Sequence, residues 1–301
     1  VTLLGTAQAL GLVDEHEAEL LARFLDPALV EDAAPLRPPA RPTPLEFKLF
    51  EAMGEALPTR PLPRQFAATD IGGTSGWRAQ IEAAERLATR GALSDNRLLG
   101  IYSDRKPAAS GGVWDRVAAI QAFEAALDGG RAELVGSALV RVWPQMRISG
   151  LIVPFSRLFG ARLVEVGLTG RAGDLAQRAA LLSTEYETAA QGMTPTSALM
   201  KTVTAIAVCT APTPLPEEAR LAEAAAAWDS AKMPGALSAM LDRGRLGEVI
   251  LRAMMLFGSG AEGNQDDLVA GLAALRGVGL EDTARRAAIQ YLILADEGAL
   301  R

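Results

Sequence analysis

From Ser75 to Asp296 apolar residues recur at intervals of three and four, and that spacing leaves this chain little choice but helices. An α-helix turns every 3.6 residues, so residues three and four apart share a face that must be buried against a neighbour. The pattern predicts helices at about 76–90, 95–103, 113–128, 131–142, 152–160, 172–182 and 184–191. It continues with about 195–209, 216–230, 233–243, 246–257, 265–276 and 281–296. Only "RLVEVGL" at 162–168 alternates like a strand, and it is too short to compete. Strands favour β-branched and aromatic side chains, whereas aromatic residues are only 5% here and alanine and leucine abound. The expected fold class is all-α.

Prolines interrupt the pattern near the start. Leu3, Leu4, Ala7 and Leu10 begin a helical series that Gly11 closes, and Asp14 caps a second one, "DEHEAELLARFL". Residues 1–25 are thus expected to form an N-terminal helical hairpin. Proline has no N–H to give a helix interior, so "DPALVEDAAPLRPPARPTP" and "PTRPLPRQF" mark residues 26–71 as a proline-rich linker. One short helix, "PLEFKLFEAMGEAL" (44–57), lies inside it. Residues 72–301 are expected to form a single array of helices.

Within that array the glycines repeat. "GGTSGWRAQIEAAERLATRG" (72–91) and "GGVWDRVAAIQAFEAALDGG" (111–130) stand 39 residues apart and share seven of twenty positions. Each reads as a glycine turn, a helix and a glycine stop, at a period suited to helical-repeat arrays. The first pair of glycines invites a phosphate-cradle reading, but a P-loop needs Gly-Lys-Ser or Gly-Lys-Thr, and neither follows. Ser75 as N-cap and an inward Trp77 account for the stretch, with Arg78 lending that helix start a residual affinity for anions. Trp77 and Trp114 are expected to be buried beside the glycines. Gly244 and Gly279, 35 residues apart, each follow a leucine-led helix end, and Ala284, Ala287 and Ala288 offer a small-residue face to a neighbouring helix.

Most chemistry is short of parts. His16 is the only histidine and Cys209 the only cysteine, so no internal disulfide and no zinc site of His and Cys ligands can be assembled. His16 lies in the acidic "DEHEAELL" and reads as an exposed helix residue, Cys209 as a buried small hydrophobe. Asp14-Glu15-Glu17, Glu217-Glu218 and Asp266-Asp267 sit where helices start, where carboxylates meet the positive end of the helix dipole. No catalytic, cofactor-binding or metal-binding residue is therefore assigned, and a non-catalytic role is favoured. A net charge of −6 and only four lysines, Lys48, Lys106, Lys201 and Lys232, disfavour nucleic acid. The longest apolar run, "TSALMKTVTAIAVCTAP" (196–212), is broken by Lys201 and falls short of a transmembrane helix. The start lacks the basic residues of a signal peptide. The expected compartment is the periplasm if an export signal has been removed from before Val1, and otherwise the cytoplasm. The polar "YSDRKPAASGG" (102–112) is a candidate partner-contact loop, through Tyr102, Asp104, Arg105 and Lys106.

The glycine joints and the small residues on the following helices resemble tetratricopeptide-type repeats, over about residues 70–296. The chain departs from that consensus in having no recurrent Trp-Leu-Gly-Tyr series. It is similar to the superhelical, non-catalytic region of periplasmic soluble lytic transglycosylases, and "GTSGWRAQIEAAERLATRGALSDNRLLGIY" looks like alphaproteobacterial proteins of this sort. The resemblance implies an irregular α-solenoid of helix–turn–helix repeats, preceded by the proline-rich region. The Glu-Ser pair of the transglycosylase catalytic part has no counterpart; Glu185-Tyr186-Glu187 is the nearest acidic–aromatic cluster and does not match. A scaffold binding another protein or a peptide is the implied function. The alternative is binding or processing of cell-wall peptidoglycan in the cavity of a curved array.

Overall fold

The computed structural model describes residue 71 and residues 76–89, 91–107, 109–229 and 232–298. The expected hairpin over 1–25, with His16, and nearly all of the expected linker over 26–71 lie outside the described residues. Among the described residues there are thirteen helices and no strand, so the all-α expectation holds. They are α1 (Trp77–Ala88), α2 (Asp95–Ser103), α3 (Val113–Asp128), α4 (Ala132–Ser149), α5 (Ile152–Val166), α6 (Gly170–Leu181) and α7 (Tyr186–Gln191). There follow α8 (Ala198–Ala207), α9 (Ala219–Asp229), α10 (Gly235–Leu241), α11 (Leu246–Ala261), α12 (Gln265–Gly277) and α13 (Glu281–Asp296). The chain divides into two compact units, Val1–Ile101 and Tyr102–Arg301, and this boundary falls inside the stretch expected as one array.

In the first unit, α1 buries Trp77, Ile81, Ala84 and Ala88, a face spaced by three and four. The Trp77 indole Nε1 donates to the Ile101 carbonyl at 2.8 Å, satisfying the one polar atom of a buried ring. The cap of α1 differs from expectation. Gly76, in extended conformation, is the N-cap and supplies no side-chain bond; its carbonyl accepts from Ala79 and Gln80 N–H instead. Arg78 is committed to Glu82 at 3.0 Å, one turn along the same helix.

The second unit begins with α3 and α4, joined by the tight turn at Gly129 and Gly130. Val113, Val117, Ile120, Phe123 and Leu127 take the buried face of α3. Trp114, one residue round the helix from that face, is only half-buried, which corrects the expectation of a second buried tryptophan. Phe123, Phe155 and Phe159 pack with ring centroids 5.0–5.2 Å apart, and Trp143 meets Phe155 edge-on at 6.2 Å. This cluster extends two helices beyond their expected ends. α4 runs through Pro144 to Ser149 because Trp143 and Met146, on either side of the proline, are both core residues. α5 continues through the strand-like "RLVEV" because Leu163 prolongs the Phe155, Phe159 row.

In the rest of the second unit α8 packs on α13, α9 on α12, and α11 on α12. The α11–α12 contact is backbone-close: a Cβ on Gly271 would stand 2.6 Å from the Phe257 nitrogen, and one on Gly260 would strike Leu268. Both glycines expected to stop helices do so. Gly244 (φ 75°) and Gly279 (φ 84°) are left-handed, and the residues after them, Arg245 and Leu280, donate back to Met240 and Leu275 carbonyls. None of the helices described is long and apolar enough to cross a membrane.

Candidate functional site

The end of α8 separates two chemically distinct places. One is a network of charged and polar groups gathered at the first turns of α13. The other is an open groove along the opposite side of α8.

The network starts from an unexpected residue. Cys209 takes the left-handed role that glycine plays after α10 and α12: its φ is 62°, and Thr210 N–H donates to the Ala205 carbonyl at 2.9 Å. It is exposed rather than buried, which corrects the sequence expectation; α8 ends at Ala207, so Cys209 lies beyond the last apolar turn. Its thiol donates to Glu281 Oε1 at 3.2 Å, and the same oxygen accepts the Trp228 indole N–H at 2.8 Å. Arg276 Nε donates to Oε2 at 2.9 Å, its guanidinium lies over the Trp228 ring at 5.3 Å, and its Nη1 reaches the Ala227 carbonyl. Burial alone would raise the Glu281 carboxyl, but the bonds from Arg276, Trp228 and Cys209 outweigh it and hold it below its ordinary range. The Cys209 thiol is pushed up, by burial first and by the Glu281 carboxylate second.

At the next residue, Tyr186 Oη donates to Asp282 Oδ1 at 2.8 Å while Arg286 Nε holds Oδ2 at 2.9 Å. Arg285 bonds Glu187 at 2.6 Å and the Ala207 carbonyl at 2.8 Å; both arginines lie over the Tyr186 ring. Tyr186 is raised far above its ordinary value, by burial and then by its bond to Asp282. Burial works against Asp282 too, yet the bonds from Tyr186 and Arg286 bring it below its ordinary range. These groups therefore act on one another: Glu281 accepts from Cys209, Trp228 and Arg276, and Asp282 accepts from Tyr186 and Arg286. Such a network joins α7, α8, α9, α12 and α13.

The groove is different in kind. Ala198, Lys201 and Ala205 form one stripe of α8 that Val208 continues at its C-cap, spaced by three and four, while Leu199, Val203 and Ile206 turn into the core. The loop before α8, with Met193 and Pro195, and the proline-rich loop 211–217 form the walls of a cavity of about 830 Å³. Val208 and Leu215 are 39% and 48% exposed. The Thr202 and Thr204 hydroxyls donate to the Ala198 and Met200 carbonyls within the helix, so they are spent. Lys201 and Glu217 both line the groove, and neither has an ion-pair partner among the described residues.

The candidate contact loop is only partly available. Tyr102 belongs to the last turn of α2 and is 1% exposed, so its ring is core. Asp104 and Arg105 are exposed and pair with each other at 2.9 Å, and Lys106 is exposed. Gln121 donates to the Tyr102 and Arg105 carbonyls and so anchors the loop's start to α3. Of the acidic pairs, Asp266 and Asp267 lie in the first turn of α12, where Asn264 accepts from the Asp267 N–H. Glu217 and Glu218 directly precede α9. Among the described residues no three His, Cys, Asp or Glu side chains gather as metal ligands would. Neither the groove nor the α13 network is marked by a motif: Cys209 and Glu281 are 72 residues apart in sequence. Glu185-Tyr186-Glu187 is the one local signal that touches the network. Compared with protein-family models, with curated proteins and with solved structures, the chain finds no match.

Proposed function

We propose that this chain is a non-catalytic helical scaffold, an irregular tetratricopeptide-like solenoid, whose groove beside α8 holds an extended segment of another protein. The observation that carries this reading is a groove whose two charged side chains, Lys201 and Glu217, have no ion-pair partner among the described residues, whereas the charges gathered at α13 are paired. An apolar floor with a few convergent polar groups is the composition of a binding site, and about 830 Å³ falls within the usual range for one. Lys201 and Glu217 offer one charge of each sign, which suits a polypeptide carrying both better than a uniformly charged polymer. Proline walls present carbonyls without competing N–H donors, and an extended chain can supply those donors from its backbone.

The test is co-purification from native extract with the chain and with Lys201→Glu, Val208→Asp and Leu215→Asp. A partner should be held by the parent and lost by all three variants at unchanged melting temperature. An Arg105→Ala, Lys106→Ala double variant should retain it. A partner that ignores the groove substitutions, or is lost only with the loop variant, sinks the assignment.

A further inference from the structure

The geometry points to α11 as a self-association face, on which two copies of this chain meet antiparallel about a two-fold axis. Val249, Ala253 and Gly260 turn α11 into the core, and the opposite side carries Leu251, Met254 and Met255 at 62%, 59% and 74% exposure. These three side chains expose the equivalent of about two large apolar groups, on the order of 400 Å², a size at which a surface patch usually has a partner.

Two glycines select the occupant. Gly136, Gly160, Gly260 and Gly271 all sit in helices where a Cβ would press on a neighbour. Gly258 is also inside a helix, yet a Cβ there would meet nothing within 4 Å, as is also true of Gly247 in the first turn of α11 and of Gly100 in α2. An interior glycine weakens a helix relative to alanine, so on an apolar face it implies close approach by something outside the chain. Gly247, Leu251, Met254 and Gly258 share that face, and their spacing of four, three and four reads the same in both directions. An antiparallel copy therefore sets Leu251 against Met254 of the second copy, and Gly247 against Gly258 of the second copy. Self-complementarity of this kind is what an isologous interface requires. A two-fold also brings like charges near each other, and the flank tolerates this because Glu248 is bridged to both Arg245 and Arg252. A standard interface buries about 800 Å² per partner, so a stripe of about half that size makes a reversible, concentration-dependent dimer.

Sedimentation velocity over roughly 1–500 μM reads this directly, with monomer at the low end and dimer at the high end. Leu251→Glu and Met254→Glu should each raise Kd by about tenfold or more with melting unchanged, since both side chains are exposed in the monomer. Gly258→Leu should abolish the dimer while leaving the monomer about as stable, because a Cβ at this position meets nothing within 4 Å in the chain. On a Cys209→Ser background, Gly247→Cys with Gly258→Cys should cross-link under oxidant, and either cysteine alone should do so far less. A chain that stays monomeric throughout overturns the proposal. So does a dimer that survives Leu251→Glu and Gly258→Leu. Binding of a monomeric chain to lipid vesicles through this face overturns it in favour of a membrane surface.

Discussion

Val208 and Cys209 are neighbours in sequence and belong to opposite kinds of surface. Val208 lines a groove in which Lys201 and Glu217 are left without ion-pair partners among the described residues. Cys209 begins a network in which Glu281, Asp282, Arg276, Arg285 and Arg286 are all engaged. A charge held by several partners in a partly buried place resists substitution, because removing one member strands the others. A charge with no partner contributes little to folding, so its presence has to be explained by what it meets. On the function proposed here, the network serves stability and the groove serves binding. Each assignment makes a different forecast for the same kind of substitution.

The largest expected effect is on the network. Glu281→Ala removes the acceptor of Arg276, Trp228 and Cys209 at once, and should destabilise by about 2 kcal/mol, less than a fully buried pair because Arg276 and Glu281 keep about a third of their exposure. Urea unfolding would measure it, and a loss under about 0.5 kcal/mol, the level of ordinary surface changes, would dissolve the distinction between network and groove. The second effect is its dependence on pH. Glu281 and Asp282 have folded values below their unfolded ones, so their contribution is present above about pH 4 and is lost as pH falls through the lower folded values. Tyr186 is shifted upward, so its contribution is present below about pH 10 and is lost as pH rises through the higher folded value. The stability lead of the parent over Glu281→Gln should shrink on acidification from pH 7. A lead that stays constant down to pH 2 contradicts the assignment.

Which of these regions could be read in advance follows from the range over which each is specified. The helices were legible because a 3.6-residue period is local: α2, α3 and α13 run over the spans the pattern predicts. Errors of extent arose where tertiary packing overrode a local signal, as at Pro144 in α4 and at "RLVEV" in α5. The network was hidden because Cys209 looks like the end of an apolar run until Glu281, 72 residues on, supplies its acceptor. The groove was hidden because residues 211–217 read as the approach to a helix, while their role is to stand opposite α8. Tyr102 misled in the other direction: a tyrosine beside charged residues reads as surface, and burial is decided by the packing of α2.

A smaller effect isolates the backbone of Cys209. A non-glycine residue in left-handed conformation carries strain of about 1 kcal/mol, and its hydrogen bond to Glu281 offsets part of it. Cys209→Ala keeps the strain and loses the bond, so a loss of about 1 kcal/mol is expected. Cys209→Gly loses the bond but relieves the strain, against a greater entropy of the unfolded chain, and should land within about 0.5 kcal/mol of the parent. The order glycine above alanine is the observable, read from paired thermal melts. The reverse order means that the thiol's position is held by the loop and not by the helix end.

The smallest expected effect on stability is at Lys201, where the functional effect should be largest. Its neighbours on the stripe, Ala198, Ala205 and Val208, are small or apolar, and no carboxylate among the described residues bonds it. Lys201→Ala should therefore leave unfolding unchanged within about 0.5 kcal/mol, in contrast with Glu281→Ala one helix away. The same substitution removes the groove's one lysine, and a bound segment whose carboxylate faced it would be left with a desolvated, unpaired charge. Affinity should fall by about tenfold or more, with the loss mainly in the dissociation rate. Glu217→Gln should weaken the same partner from the opposite wall, and reversing both charges together should weaken it further than either single change, since each group would then face its own sign. Binding untouched by Lys201→Ala, with the fold equally untouched, would leave the groove with no role for its charges and place recognition elsewhere on the molecule.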